Sequence, residues 1–157
     1  FKRVKWYGLG PHENYIDRNS GAKLALHTTT VEDLFTQYVR PQECGNLTDV
    51  RWLALKDNLY NGLLIVGKEP LSISALNINT NDLNYSYEKR HACDVSKTGY
   101  ITVHIDKAQM GVGGDDSWGA MVHPQYLIPA KEYRYSFSIK PFKVSEGNEE
   151  TMMKKMY

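Results

Sequence analysis

The stretch Tyr100-Ile101-Thr102-Val103-His104-Ile105-Asp106 decides the fold class. Ile101, Val103 and Ile105 fall on one side of an extended chain and Tyr100, Thr102, His104 and Asp106 on the other, the period-two pattern of a strand with one buried face. Tyr133-Arg134-Tyr135-Ser136-Phe137-Ser138-Ile139-Lys140 repeats the scheme, predicting Tyr133, Tyr135, Phe137 and Ile139 inward and the alternate residues outward. Further strands read at residues 3–7, 23–29, 50–56, 63–66 and 71–77, each bounded by Gly, Pro, Asn or Asp. Seven short strands imply an all-β sandwich or barrel. Helical signal is confined to one possible turn opened by Thr30 and a second short element from Thr80 toward His91. That excludes the strand and helix rhythm of nucleotide-binding α/β folds.

The composition agrees. With 11 Tyr beside 4 Phe and 3 Trp, the chain favours pleated, half-buried surfaces. Its 157 residues suit one domain, large enough to bury roughly 68–70% of the unfolded surface. Lys+Arg 19 against Asp+Glu 18 leaves a net charge of +1, too little to attract a nucleic acid or an anionic membrane, so neither is expected as a partner. The longest aliphatic run, Leu63 to Val66, falls far short of the ~20 apolar residues of a membrane-spanning helix, in line with a mean hydropathy of -0.51. The compartment is left open. Cys44 and Cys93 lack the spacing of a zinc or redox motif.

No GxSxG elbow, GxxxxGK[ST] loop, strand-linked GxGxxG or HExxH helix occurs. The five histidines are dispersed, and His91 with Cys93 is the nearest approach to a ligand pair. The unusual segment is Met110-Gly111-Val112-Gly113-Gly114-Asp115-Asp116-Ser117-Trp118-Gly119. Its glycines permit tight backbone approach and its carboxylates can accept from turn amides. Gly113, Gly114, Asp115, Asp116 and Ser117 thus support one displayed indole, Trp118. A flat ring suits the C–H face of a pyranose; equally, a core Trp beside a solvated turn has the same residue types. A calcium site would need more of the D-x-[DN]-x-[DN]-G pattern than Gly114-Asp115-Asp116 offers. Adjacent carboxylates on a turn also diverge, whereas glycoside cleavage needs two that face each other across ~5–9.5 Å. Residues 6–18 and 38–46 are dense, glycine-bearing loops, read either as interaction surfaces or as loops tied by their own hydrogen bonds.

Several stretches together resemble the C-terminal part of the last, small-chain domain of the large bacterial β-galactosidases of glycoside hydrolase family two. They are Tyr7-Gly8-Leu9-Gly10-Pro11, Glu13-Asn14-Tyr15, Asp17-Arg18, Tyr38-Val39 with Pro41 and Glu43, Asn46 with Arg51, and Met110-Gly111 with Gly113 to Trp118. They follow the family's order over about residues 3 to 142; Cys44 departs from the family's usual Asn, and the tail has no counterpart. The resemblance implies a β-sandwich over residues 1–142, part of a galactose-mutarotase-like supersandwich, followed by a flexible or weakly helical tail over 143–157. It implies that Trp118 stacks on the bound galactoside at the pocket mouth. No catalytic residue or cofactor is expected in this fragment: the two glutamates of a retaining β-galactosidase, with magnesium and sodium sites, are implied in the preceding domains, including a TIM barrel. The parent enzyme is implied to be a homo-oligomer whose remaining domains are this chain's partners.

Phe1 then reads as the mark of a cut, with apolar or strand-edge surface expected where the missing part packs. Two other classes compete. An autonomous carbohydrate-binding module would also display a Trp, and an aldose epimerase on the same type of fold would need a His paired with a carboxylate.

Overall fold

A computed structural model describes residues 1–84, 91–116 and 119–156. The chain is all-β, as the alternation predicts, with strands β1 (Arg3–Gly10), β2 (Lys23–Thr30), β3 (Leu47–Lys56), β4 (Gly62–Ile78), β5 (Lys97–Asp106) and β6 (Phe137–Phe142), then a short helix α1 (Glu149–Lys154). All pairings are antiparallel, in the order β2-β1-β3-β4-β5, with β6 also on β4. No helix among the described residues is long and apolar enough to cross a membrane.

The two expected strands at 63–66 and 71–77 are one, β4. It lies along β3 on one side; on the other it pairs with β6 from Gly62 to Gly67 and with β5 from Ser72 to Ile78. Pro70, which cannot donate to a ladder, falls where β6 has ended and β5 has not begun, and where β3 shifts register between Val50 and Trp52. The punctuation that splits the sequence pattern is thus tolerated inside a continuous strand.

Alternation sends apolar residues to both faces. On one, Val4, Trp6, Leu53, Leu55, Ile65, Ile73 and Ala75 pack together, with Ile101, Val103 and Ile105 of β5 packed against them as expected. On the other, Trp52, Ala54, Leu64 and Val66 meet Phe142 and Met152. The Thr30 turn forms: its hydroxyl accepts from Asp33 N at 3.2 Å and donates to the Asp33 carboxylate. Residues Thr80–Leu83 make a single 3-10 turn capped by Asn79, and its continuation over 85–90 lies outside the described residues.

The expected strand over 133–140 is corrected in extent and in facing. It begins at Phe137, and Tyr133, Tyr135, Phe137 and Ile139 are exposed, Ile139 by 53%, while Phe142 is 5% exposed. The cause is the pairing with β4: Phe142, opposite Gly62, and Lys140, opposite Leu64, share the face that carries Trp52 and Met152. The odd residues must then point to the opposite face, beyond the edge of the larger core. Tyr135 and Phe137 stack at 5.9 Å there, and Tyr135 donates to Ile105 O.

Helix α1 docks over Trp52. Asn148 caps it by accepting from Thr151 N at 2.8 Å, Met152 is fully buried, and Glu149 accepts from Lys5 Nζ at 2.9 Å and Lys56 Nζ at 2.6 Å. Burial pushes the Glu149 carboxyl upward, but the lysines and its own backbone N–H outweigh it and hold the group at about 2. A carboxyl depressed by folding stabilises above its unfolded pKa, and that contribution disappears as pH falls from about 4.5 to 2. Helix docking, followed by the near-ultraviolet signal of Trp52, is therefore expected to weaken over this window. Glu149→Gln should flatten the transition; an unchanged acid profile in that variant would remove the clamp as its cause.

Candidate functional site

Three loops meet at one end of the sheet: residues 11–19 after β1, residues 38–46 before β3, and, after β5, residues 107–116 and 119–127. The first two, dense in sequence but far apart, are joined by a polar network. Glu13, 6% exposed, accepts from Gly45 N at 2.7 Å, from the Tyr38 hydroxyl and from Arg18 Nη1 at 3.1 Å. Arg18 also donates to Tyr38 at 2.5 Å. Burial, then the Glu13 contact, pushes the Tyr38 phenol up, keeping it a donor.

Asn14, fully buried, is bonded twice to Asn46 through its backbone: its N donates to Asn46 O at 2.8 Å and its carbonyl accepts from the side-chain Asn46 Nδ2 at 2.9 Å. Its Oδ1 accepts from the N–H and hydroxyl of Thr48, and its Nδ2 donates to Leu9 O and His12 O. A buried amide so placed replaces the ladder that irregular backbone lacks. Gly45 is required at the junction: its φ is 75°, and a Cβ there would lie 2.8 Å from Leu34 O and 2.9 Å from Leu76 Cδ2. Cys44 is buried, and burial pushes its thiol up to about 12, so it stays protonated rather than acting as a nucleophile or metal ligand.

The same 11–19 loop holds the glycine-rich loop. Asp17 accepts from Val112 N at 3.2 Å and from Gly113 N at 2.8 Å. Gly111 permits this approach, since a Cβ there would sit 2.6 Å from Asp17 Oδ2 and 2.7 Å from Val122 Cγ1; its N–H donates to Tyr126 O. Farther along, Asp115 meets His123 Nε2 at 2.8 Å, and Asp116 accepts from Ala120 N at 3.3 Å. A depression of about 310 Å³ opens beside the loop, lined by Asp17, Gly113, Gly114, His123, Gln125 and Tyr126. Ser117 and Trp118 lie outside the described residues, between Asp116 and Gly119.

The carboxylates here hold backbone and imidazole groups: Asp17 is committed to two amides, Asp115 to His123 and Asp116 to Ala120. Among the described residues, no three His, Cys, Asp or Glu side chains converge as a metal would require. Asp17 and His123 are positioning residues whose part sequence reasoning missed. Asp17 stands inside a matched motif, but nothing in one sequence ties it to amides 95 and 96 positions away. Removing that anchor in Asp17→Ala is expected to raise hydrogen exchange at Val112 and Gly113 by about tenfold or more, with little change in global stability, because the loop is exposed. Unaltered exchange would show that another contact holds the loop.

Comparison with known proteins gives concordant results. The family model described as Beta galactosidase small chain matches residues 1–139. The chain is 45% identical to a β-galactosidase of Priestia megaterium over 142 residues, 90% of this chain and 13% of that protein. It is 38% identical to a β-galactosidase of Halalkalibacterium halodurans over 133 residues, 84% of this chain and 13% of that relative. With a β-galactosidase of Pseudoalteromonas haloplanktis it shares 33% identity over 137 residues, 87% of this chain and 12% of the relative. The chain thus spans only 12 to 13% of these relatives' length.

Proposed function

The chain belongs to the β-galactosidase small-chain family, and on that premise we propose that it works as the closing segment of a retaining β-galactosidase, where it supplies Trp118 as one wall of the galactoside pocket. The observation that carries this reading is the double anchoring of the glycine-rich loop: Asp17 grips its start and His123 its acidic turn, among the described residues that flank positions 117 and 118. An indole carried there offers a flat apolar face to a pyranose while the sugar hydroxyls stay free for polar partners.

The chemistry itself belongs to domains outside this chain. Retaining cleavage uses one carboxylate as nucleophile and another first as acid, then as base, about 5–5.5 Å apart; Asp17, Asp115 and Asp116 are each spent on loop architecture. Magnesium and sodium, which the family resemblance associates with the parent, find no converging acidic or imidazole set among the described residues. The partner surface is apolar: Leu24 and Leu26 on β2, and Phe137 and Ile139 on β6, lie exposed on edge strands. Such strips are covered when the remaining domains, and a further subunit of the parent oligomer, pack on them.

The test is direct. The purified 157-residue chain is expected to leave a nitrophenyl β-galactoside intact, while the full-length polypeptide that contains it hydrolyses the same compound. Turnover by the chain alone, or an inactive full-length polypeptide, overturns the reading.

A further inference from the structure

A second cavity, of about 320 Å³, lies between the 41–45 segment and the face of β4 and β5 that bears Ser74 and His104. It is on the other flank of the loop that Glu13 ties down, and none of its lining residues belongs to the glycine-rich loop. Ser74 pairs across the strands with His104, and Leu76 with Thr102, so four side chains of one sheet face form the floor. Glu43 enters from the loop above, and Asn81 and Asn84 from the turn that follows β4.

The distinguishing property is what these groups do not do. Glu13, Asn14, Asp17 and Asn46 are spent on internal bonds, whereas the side chains of Glu43, Ser74, Asn81, Asn84, Thr102 and His104 make no hydrogen bond or ion pair with any described residue. Ser74 is 5% exposed and still keeps its hydroxyl uncommitted. Glu43, Asn81, Asn84 and His104 are exposed and Thr102 is half-buried, so their donors and acceptors face the hollow's solvent side unspent and can bond an external partner there.

Their chemistry selects the partner. Hydroxyl, amide, imidazole and carboxylate groups alternate donors and acceptors, while Leu76 and Leu83 add a small apolar wall. Burial pushes the Glu43 carboxyl up, His104 opposes it, and Asp106 and Glu13 add to the rise; an anion is disfavoured because a carboxyl group itself lines the cavity. A metal ion is disfavoured because only one carboxylate lines the cavity. The volume lies at the small end of ligand pockets, enough for a single pyranose ring. We propose that this cavity is a second carbohydrate site that binds one neutral monosaccharide, its hydroxyls held by Glu43, His104, Ser74 and the two asparagines and its C–H surface laid on Leu76 and Leu83. This site does not depend on the assignment of Trp118.

Titration of the 157-residue chain with D-galactose, D-glucose and D-glucuronate, read at the histidine ring resonances, tests it. The neutral hexoses are expected to give a saturable, millimolar shift of His104, with His12, His27 and His123 unmoved; glucuronate should bind about tenfold more weakly or less. Glu43→Gln, a conservative change on an exposed side chain, should weaken hexose binding about tenfold by removing a charged acceptor. Ser74→Leu, which fills the floor, should abolish it. No saturable His104 shift, an equal response to glucuronate, or a response that survives both substitutions overturns the proposal, leaving the cavity as a hydrated recess. Trp118→Ala should leave the His104 response intact, so failure of the catalytic-pocket reading and failure of this one give different results.

Discussion

Replacing Glu13 by alanine is expected to lower the stability of the chain by about 2–4 kcal/mol, a drop of roughly 5–15 °C in melting temperature for a domain of this size. Among the described residues the carboxylate is the acceptor of the Gly45 N–H, a buried donor in a left-handed turn. It also holds Tyr38 and Arg18. The exposed half of Arg18 recovers water, so the ion pair contributes little by itself; the orphaned backbone donor dominates the loss. Glu13→Gln keeps an acceptor for Gly45 and should cost less than half as much. Because Arg18 follows Asp17, Glu13→Ala should also quicken exchange at Val112 and Gly113. Thermal unfolding of both variants checks this: a midpoint within about 2 °C of the parent in Glu13→Ala would mean that Gly45 has another acceptor.

The second large effect is functional. In the full-length polypeptide, Trp118→Ala is expected to reduce kcat/KM for β-galactosides by about 10- to 100-fold, the equivalent of roughly 1.4–2.8 kcal/mol of lost transition-state stabilisation. The loss reflects an apolar face no longer desolvating the sugar, so Trp118→Phe should recover part of it. Since the anchors of the glycine-rich loop, Asp17 and His123, are untouched by the change, the unfolding midpoint should hardly move. Unchanged kinetics in Trp118→Ala would remove this residue from the pocket. Asp17→Ala should reproduce part of the same kinetic loss with Trp118 still present.

What could be read from the sequence followed the physics of each element. β5 is legible over residues 100–106, though not in its start at Lys97, because Ile101, Val103 and Ile105 meet a core on one face and polar residues meet solvent or a cavity on the other. β6 was misread because alternation fixes which residues share a face, not which face is covered. Its pairing with β4 turned Phe142 inward and left Phe137 and Ile139 at an edge. β4 was split because Gly67 and Pro70 punctuate locally, whereas the gap between two neighbouring strands that excuses them is a tertiary fact. In the site, the glycine-rich loop announced itself by composition. The bonds from Glu13 to Gly45 and from Asp17 to Gly113 join residues 32 and 96 positions apart, and no local pattern encodes such pairings. Helix α1 is brief, and its docking rests on Lys5 and Lys56, charges that read as ordinary strand-face lysines.

The long strand β4 also sets where this architecture can accept a change of length. It is in register with β3, β5 and β6 at once, so one inserted or deleted residue between Gly62 and Ile78 would reverse the facing of everything beyond it against up to three neighbours. Leu64 would exchange Trp52 and Phe142 for the opposite core, and Ile65 would make the reverse exchange. The turn from Asp57 to Asn61 has no such constraint: it closes on itself through Asp57 N to Asn61 O and the Asp57 carboxylate, with Leu59 72% exposed. A peptide tag or reporter inserted there would meet no register to break, which makes that hairpin tip the natural port for labelling the domain.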